Sequence, residues 1–334
     1  MKLRFSFDFL IAVGYPALCV VKAHRWTILE AGALTQCPCL TLIDGDIAPK
    51  TYAEWLQPKN VTDKVAQLAA MGTLEALQLT NRYLPELPEE LRGCKGLSHI
   101  HIEGTTFSSL QSLPDDMFDD MSALTFMHVG VHPQMTRLPS FRGLTRLKSL
   151  TLAQLFALVE LPSFESLQHL ERLVLVSLLT TESLPDFAPV KNLRAFVTMD
   201  RGAWCCNGFI GKCDLQNAMC GLHPLWGTPA VSCTEKRATA ATLAVTKKFA
   251  ATICGGVIIP GVAEGSPTEA GMEQCNGTLY QQCEEPGYAE AICYNARFMG
   301  IACSTSPFPV EMRRQQIAQG RICDSEYEAW LGCK

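Results

Sequence analysis

The sequence lacks most of what announces a catalyst or a nucleic-acid binder. Its 28 Lys and Arg stand against 33 Asp and Glu, a formal charge of only -5. No long basic run offers phosphate contacts, so a nucleic-acid partner is not expected. The sequence holds no His-Glu-x-x-His, no Gly-x-Ser-x-Gly and no Gly-x-x-x-x-Gly-Lys loop. The glycines at 255, 256, 261 and 265 come without the lysine that a phosphate cradle needs, and they read as a loop. No C-x-x-C pair is present, and His223 is the only histidine after residue 200, which argues against zinc in that region. Asp44-Gly45-Asp46 is not a calcium loop, because Pro49 and Trp55 stand where glycine and glutamate are required. No cofactor, no metal and no enzymatic activity are expected. A cysteine nucleophile needs a thiolate beside a base, and the cysteines near Trp204 have no histidine close in sequence.

Two features are abundant instead. The first is a pattern written six times between residues 74 and 198. Leu74-x-x-Leu77-x-Leu79 returns as Leu97-x-x-Ile100-x-Ile102, Leu124-x-x-Met127-x-Val129, Leu147-x-x-Leu150-x-Leu152 and Leu170-x-x-Leu173-x-Leu175. A degenerate sixth copy is Leu193-x-x-Phe196-x-Thr198. A second anchor follows the first five: Leu87-Pro88, Leu113-Pro114, Leu138-Pro139, Leu161-Pro162 and Leu184-Pro185. This period and core are the signature of leucine-rich repeats. The expected fold is therefore α/β, a solenoid whose strands form a parallel sheet along an arc, since one repeat cannot bury its own leucines. The extra residues of the second repeat, 107–116, are expected to loop out on the convex side or an edge.

The second feature is cysteine. Twelve of the 16 lie after residue 200, at 205, 206, 213, 220, 233, 254, 275, 283, 293, 303, 323 and 333. That density predicts a disulfide framework built in an oxidising compartment, with its connectivity left open. Cys37 and Cys39 are further candidates, each needing a distant partner. Cys94 is expected to stay a buried thiol.

Four regions follow. Residues 1–36 hold basic residues and an apolar run at 9–21, shorter than the about 20 residues that cross a bilayer. They read as a signal peptide or short anchor, with membrane attachment through residues 5–21 as one outcome. Residues 37–73 form an amino-terminal cap, with a capping box at Thr51 and Glu54 and a helix at 63–71 capped by Thr62. Residues 74–200 are the repeats. Residues 201–334 form a cysteine-rich, loop-rich and partly helical domain, with helix candidates at 234–251, 289–303 and 310–319, expected to cover the sixth repeat. Asn60 and Asn276 head glycosylation sequons.

The alternate strand positions should face outward on the concave side. Their middle column reads Gln78, His101, His128, Thr151, Val174, Val197. The flanking columns supply His99, Phe126 and Arg172 on one side and Glu103 on the other. Partner contacts are thus expected at His99, His101, Glu103, Phe126, His128, Thr151 and Arg172, with a protein or peptide ligand. The histidines read mainly as a solvated interaction face, and a metal site or pH-sensitive contact is the alternative. The apolar end of the face is either covered by the following domain or an exposed partner patch.

Several tail segments are distinctive: Cys205-Cys206-Asn207-Gly208-Phe209, Ile292-Cys293-Tyr294-Asn295, Ile301-Ala302-Cys303, Arg313-Arg314-Gln315-Gln316-Ile317 and Trp330-Leu331-Gly332-Cys333. With Thr51-Tyr52-Ala53-Glu54-Trp55 upstream, they resemble oomycete leucine-rich-repeat proteins of the WLGC domain-containing family. The resemblance covers about residues 37 to 333 and brings no established activity. The expected function is an extracellular or membrane-associated binding scaffold, with a structural cell-surface component or a secreted enzyme as alternatives.

Overall fold

The structure is a computed structural model and describes residues 39–45, 49–105, 110–111, 113–223, 226–255, 266–295 and 300–334. The expected leader and Cys37 lie outside these residues. Among the described residues no helix is long and apolar enough to cross a membrane.

Seven parallel strands pair in chain order into one sheet: β1 Thr41–Gly45, β2 Ala76–Thr80, β3 His99–Glu103, β4 Phe126–Gly130, β5 Ser149–Ala153, β6 Arg172–Val176 and β7 Ala195–Met199. The register carries the repeat directly, with Leu77 opposite Ile100, Ile100 opposite Met127, and Met127 opposite Leu150. The apolar strand positions point to one face because strand side chains alternate, and they fill a single continuous core. The solenoid expected from the repeats is therefore present. A phenylalanine row runs behind the leucines. Phe118, Phe141, Phe164 and Phe187 follow one another along the arc, tilted, stacked and then edge-on, at 6.3, 6.4 and 5.3 Å between ring centroids. The row continues through Phe196 to Phe249.

The sheet has one strand more than the six repeats. β1 comes from the cap, and it sets Leu42 opposite Leu77 and Asp44 opposite Leu79. A carboxylate thus takes a core register position at the sheet's outer edge. It is held there by Lys64 Nζ at 2.6 Å and Arg82 Nε at 2.9 Å. Helix α1 (Tyr52–Leu56) starts with the expected capping box, Thr51 and Glu54 each bonding the other's backbone amide. Helix α2 (Thr62–Ala69) corrects a detail. Thr62 is its first residue, not its cap, and Asn60 Oδ1 accepts from both the Thr62 amide and hydroxyl. In the second repeat, Leu110 and Leu113 are buried. These two leucines anchor the described part of the inserted segment in the core, and residues 106–109 and 112 lie outside the described residues.

Residues 201–255 close the other end. Trp204, Phe209 and Ile253 join the solenoid core. Helices α3 (Ala240–Lys248) and α4 (Ala250–Ile253) lie against the last repeats. The Phe187 amide donates to Thr242 Oγ1, and the Thr252 hydroxyl donates to the Phe196 carbonyl. These bonds satisfy backbone groups that have no further repeat to meet. Disulfides Cys205–Cys254, Cys206–Cys220 and Cys213–Cys233 bind this segment together. Its helix begins at Ala240 rather than 234, because Thr239 caps it by accepting from the Thr242 amide.

Residues 266–334 build a separate small unit. It contains α5 (Glu269–Cys275), β8 (Gln282–Cys283), β9 (Ala291–Tyr294), β10 (Ala302–Ser304) and α6 (Pro307–Ala318). The strands form an antiparallel sheet in the order β10-β9-β8. The helix expected at 289–303 is thus corrected to two strands, with Cys293 opposite Cys303. Ile292 and Tyr294 favour extended backbone, and Gly300 adopts a left-handed conformation at φ 89°. Disulfides Cys275–Cys293, Cys283–Cys303 and Cys323–Cys333 cross-link the unit. The six bridges use all twelve cysteines after residue 200. Cys94 is a buried free thiol, and burial pushes its pKa up.

The sixth repeat is not what this second unit covers. It meets the amino-terminal cap, where Trp55 packs against Met272 and Ala302. The expectation that the tail covers the last repeat therefore holds for residues 201–255 only. Inside the unit, each residue of Trp330-Leu331-Gly332-Cys333 has a separate task. The Trp330 indole donates to the Tyr280 carbonyl at 3.0 Å. Leu331 packs with Ile292 and Val310. Gly332 takes a left-handed turn at φ 99°, and Cys333 closes the bridge to Cys323. Beneath them Arg313 forks onto Glu328 at 2.5 and 3.0 Å and covers the Tyr280 ring.

Candidate functional site: the histidine cluster of the concave sheet

Strand pairing decides which concave side chains meet. In register, His99 lies opposite Phe126 and His101 opposite His128. Lateral spacing of about 4.8 Å between strands suits ring stacking. The His99 and Phe126 rings stack at 4.2 Å with 2° between planes, and the His101 and His128 rings at 4.3 Å with 8°. Both pairs remain partly exposed.

Glu103 does not face a partner as the alternation predicts; it is 4% exposed. Thr80, Gly130, Ala153 and Val176 of the same column are buried as well, while Met199 is only partly so. This position is the last of its strand, and the residue after it is left-handed at Asn81, Val131, Gln154 and Ser177 but not at Gly104, which follows Glu103. Glu103 is left beneath the two imidazoles. His128 Nε2 lies 2.9 Å from Oε1, and His101 Nε2 lies 3.5 Å from Oε2. Burial pushes the carboxyl pKa up, but the two histidines outweigh it and bring it down to about 2. His99 is pushed down to about 4 by burial and by its histidine neighbours.

His132 and two glycines escaped the sequence reading. His132 is buried behind the cluster, where its Nδ1 accepts from the Leu110 amide. Burial lowers its pKa to about 3, so the ring is neutral. Gly104 makes room for it, because a Cβ there would come within 2.8 Å of the ring. A Cβ at Gly130 would meet His128 Nε2 at 3.0 Å and Glu103 Cγ at 3.3 Å. The spacing of four residues between His128 and His132 was a usable signal, but His132 lies past the strand and outside any column.

Thr151 is only 8% exposed, and Arg172 is exposed. Thr151 thus offers a partner little surface. Ala153, Val174 and Val176 are buried together with Met199 against them. Trp226 returns to pack on Phe156 at 4.6 Å, and His223 Nε2 pairs with Asp200 Oδ1 at 2.6 Å. Val197 of the same face stays partly exposed. Asn60 and Asn276 are both exposed.

The chemistry on offer is confined to a few groups. His101, His128 and Glu103 each bring a ligand atom within 4.8 Å of the others. Cys275, Cys283 and Cys293 also converge, but their sulfurs are spent in disulfides. No curated protein matches the chain. Residues 270–334 match the family model of the WLGC domain. That match begins beyond the bridged segment that closes the solenoid, and it spans the unit that packs on Trp55. The chain thus pairs a leucine-rich-repeat type of solenoid with a tail that is similar, over residues 270–334, to the WLGC domain, as the resemblance of that tail implied.

Proposed function

We propose that the protein is a scaffold of the cell exterior or membrane surface that binds a protein or peptide through the polar half of its concave sheet. The observation that carries this reading is the stacked and partly exposed pair His99–Phe126, with exposed Arg172 two strands further along the same column. Aromatic rings and arginine held in place on an open face are common binding anchors. Six disulfides fit an oxidising compartment. The reading is of a binder and not of an enzyme, since no nucleophile stands beside a base in the cluster.

The test uses the full chain secreted from a eukaryotic host. Partners captured by the wild-type protein are compared with those captured by H99A/F126A/R172A, with cooperative melting as the check on folding. Loss of capture, or weakening by about 2 kcal/mol for the triple variant, supports this surface. Equal capture by a folded variant rejects it. Digestion with peptide-N-glycosidase reports the route taken, because glycan at Asn60 or Asn276 requires passage through the secretory pathway. An unglycosylated, reduced cytosolic chain would reject the exterior location.

A further inference from the structure

We propose that His101, His128 and Glu103 form a binding site for a single divalent transition-metal ion, zinc above all, with a coordination position open to the concave face. Geometry carries the proposal. A tetrahedral zinc with ligands near 2.0–2.1 Å keeps its donor atoms about 3.3 Å apart. His128 Nε2 stands 2.9 Å from Oε1 of Glu103 and His101 Nε2 stands 3.5 Å from Oε2, so each imidazole is near that spacing from its own carboxylate oxygen. All three donor atoms fall within 4.8 Å of one another. Both histidines present Nε2 to the same carboxylate, an orientation fixed by ring stacking and by the strand register.

Two further observations point to a ligand. Glu103 is 4% exposed, and its Oε2 has only the long contact to His101 Nε2 at 3.5 Å, with no hydrogen bond of good geometry. An ionised carboxylate placed so deep needs a cation or strong donors, and a metal ion held by two imidazoles supplies one. The second observation is Gly130, the strand neighbour of Glu103. Any side chain there would push into His128 Nε2 and Glu103 Cγ. The backbone stays bare beside the donor atoms, and the space is kept open.

The donor set selects among metals. Two imidazoles and one carboxylate suit zinc and its first-row neighbours rather than calcium or magnesium, which take oxygen ligands. Three protein ligands leave a fourth zinc position for water or for a donor from a bound molecule. The partly exposed His101 and His128 place that position on the concave side. His132 stands behind the cluster as a buried ring.

The experiment uses the full oxidised chain, free of affinity tags and stripped by chelator. Zinc is titrated by calorimetry, and cobalt(II) by its visible absorption. One ion per chain is expected, with the cobalt spectrum of a nitrogen- and oxygen-ligated low-coordinate site and a rise in melting temperature on zinc addition. E103Q and H128A should each weaken binding by more than about 100-fold, beyond what loss of an outer-shell contact costs. G130V keeps all three ligands and fills the space beside them, so it should abolish binding as well. Melting of each metal-free variant establishes that it is folded, and a misfolded one is replaced by H101A. No stoichiometric binding by the wild-type chain would overturn the proposal. So would equal affinity in folded E103Q, H128A and G130V, which would place the ion elsewhere.

Discussion

Trp55 of the amino-terminal cap packs against Met272 of the WLGC domain, joining the start of the repeat arc to the part of the chain farthest from it in sequence. The contact is small: Ala302 is buried in it, and Tyr52 and Leu56 of the cap pack against it. Gly300 sits alongside, with room for no Cβ against the Met272 thioether. Replacing Trp55 by alanine should remove about 3–5 kcal/mol of packing. The expected outcome is early proteolysis and faster amide exchange within residues 266–334, while the repeats keep their melting. Unchanged exchange in that region would show that the WLGC domain holds itself without the cap.

The two halves of the cysteine-rich tail should differ under truncation. A chain ending at residue 200 exposes Phe196, Leu193 and the ends of the last repeats, and it should aggregate. A chain ending at residue 255 keeps Trp204, Phe209, Ile253 and three disulfides on that end. It should remain soluble and melt cooperatively. A soluble, cooperatively melting product ending at 200 would contradict the closing role given to residues 201–255.

Within the WLGC domain the buried pair Arg313–Glu328 is the weak point for substitution. Glu328 also accepts from the Asp324 amide, so its loss strands a guanidinium and an N–H together. E328A should cost about 3–5 kcal/mol. R313M/E328L, which removes both charges, should recover much of it. Chemical denaturation of the oxidised proteins measures both. A double variant as unstable as E328A would argue that the Arg313 stack on Tyr280, and not the ion pair, is what matters.

Asp44 ties the cap to acid stability. Burial alone would raise its pKa, but hydrogen bonds and charge from Lys64 and Arg82 bring it below the usual carboxylate value. A depressed carboxyl contributes stability that is present above its unfolded pKa of about 3.9 and lost as pH falls through the lower folded value. D44N should therefore lower the melting temperature at pH 7, by a loss of roughly 1.5 kcal/mol or more. The gap to wild type should narrow below pH 4. A gap that is constant from pH 7 to pH 3 would refute the link.

The repeats could be read because each leucine's task depends on its neighbours one period away. Leu77, Ile100, Met127 and Leu150 share a column, and the register follows from the alignment. The same logic brought His101 to His128. It did not reveal that Glu103 is buried, because alternation alone places that position on the outward face, while the imidazoles of His101 and His128 lie over the carboxylate. Strand β1 was hidden by Asp44, which puts a charge where the pattern calls for leucine. The phenylalanine row was legible, since Phe118, Phe141, Phe164 and Phe187 recur every 23 residues, but no expectation was attached to it. In the tail there is no period to read. Alanines and cysteines at 289–303 suit a helix as well as strands, and disulfide partners decide between them. Nothing local to Trp55 names Met272 as its neighbour.

That last contact has a timetable attached. Trp55 and its cap leave the ribosome more than two hundred residues before Met272 and Ala302 exist. At roughly 5–20 residues per second the delay is about 10–40 s. Throughout it the cap can fold onto the first repeats, yet Trp55 stays bare. The last segment to be made must also find its place at the first segment to have folded. A nascent chain of this protein therefore carries one uncovered tryptophan as a marker of incompleteness, hidden only when the cysteine-rich tail has formed its bridges.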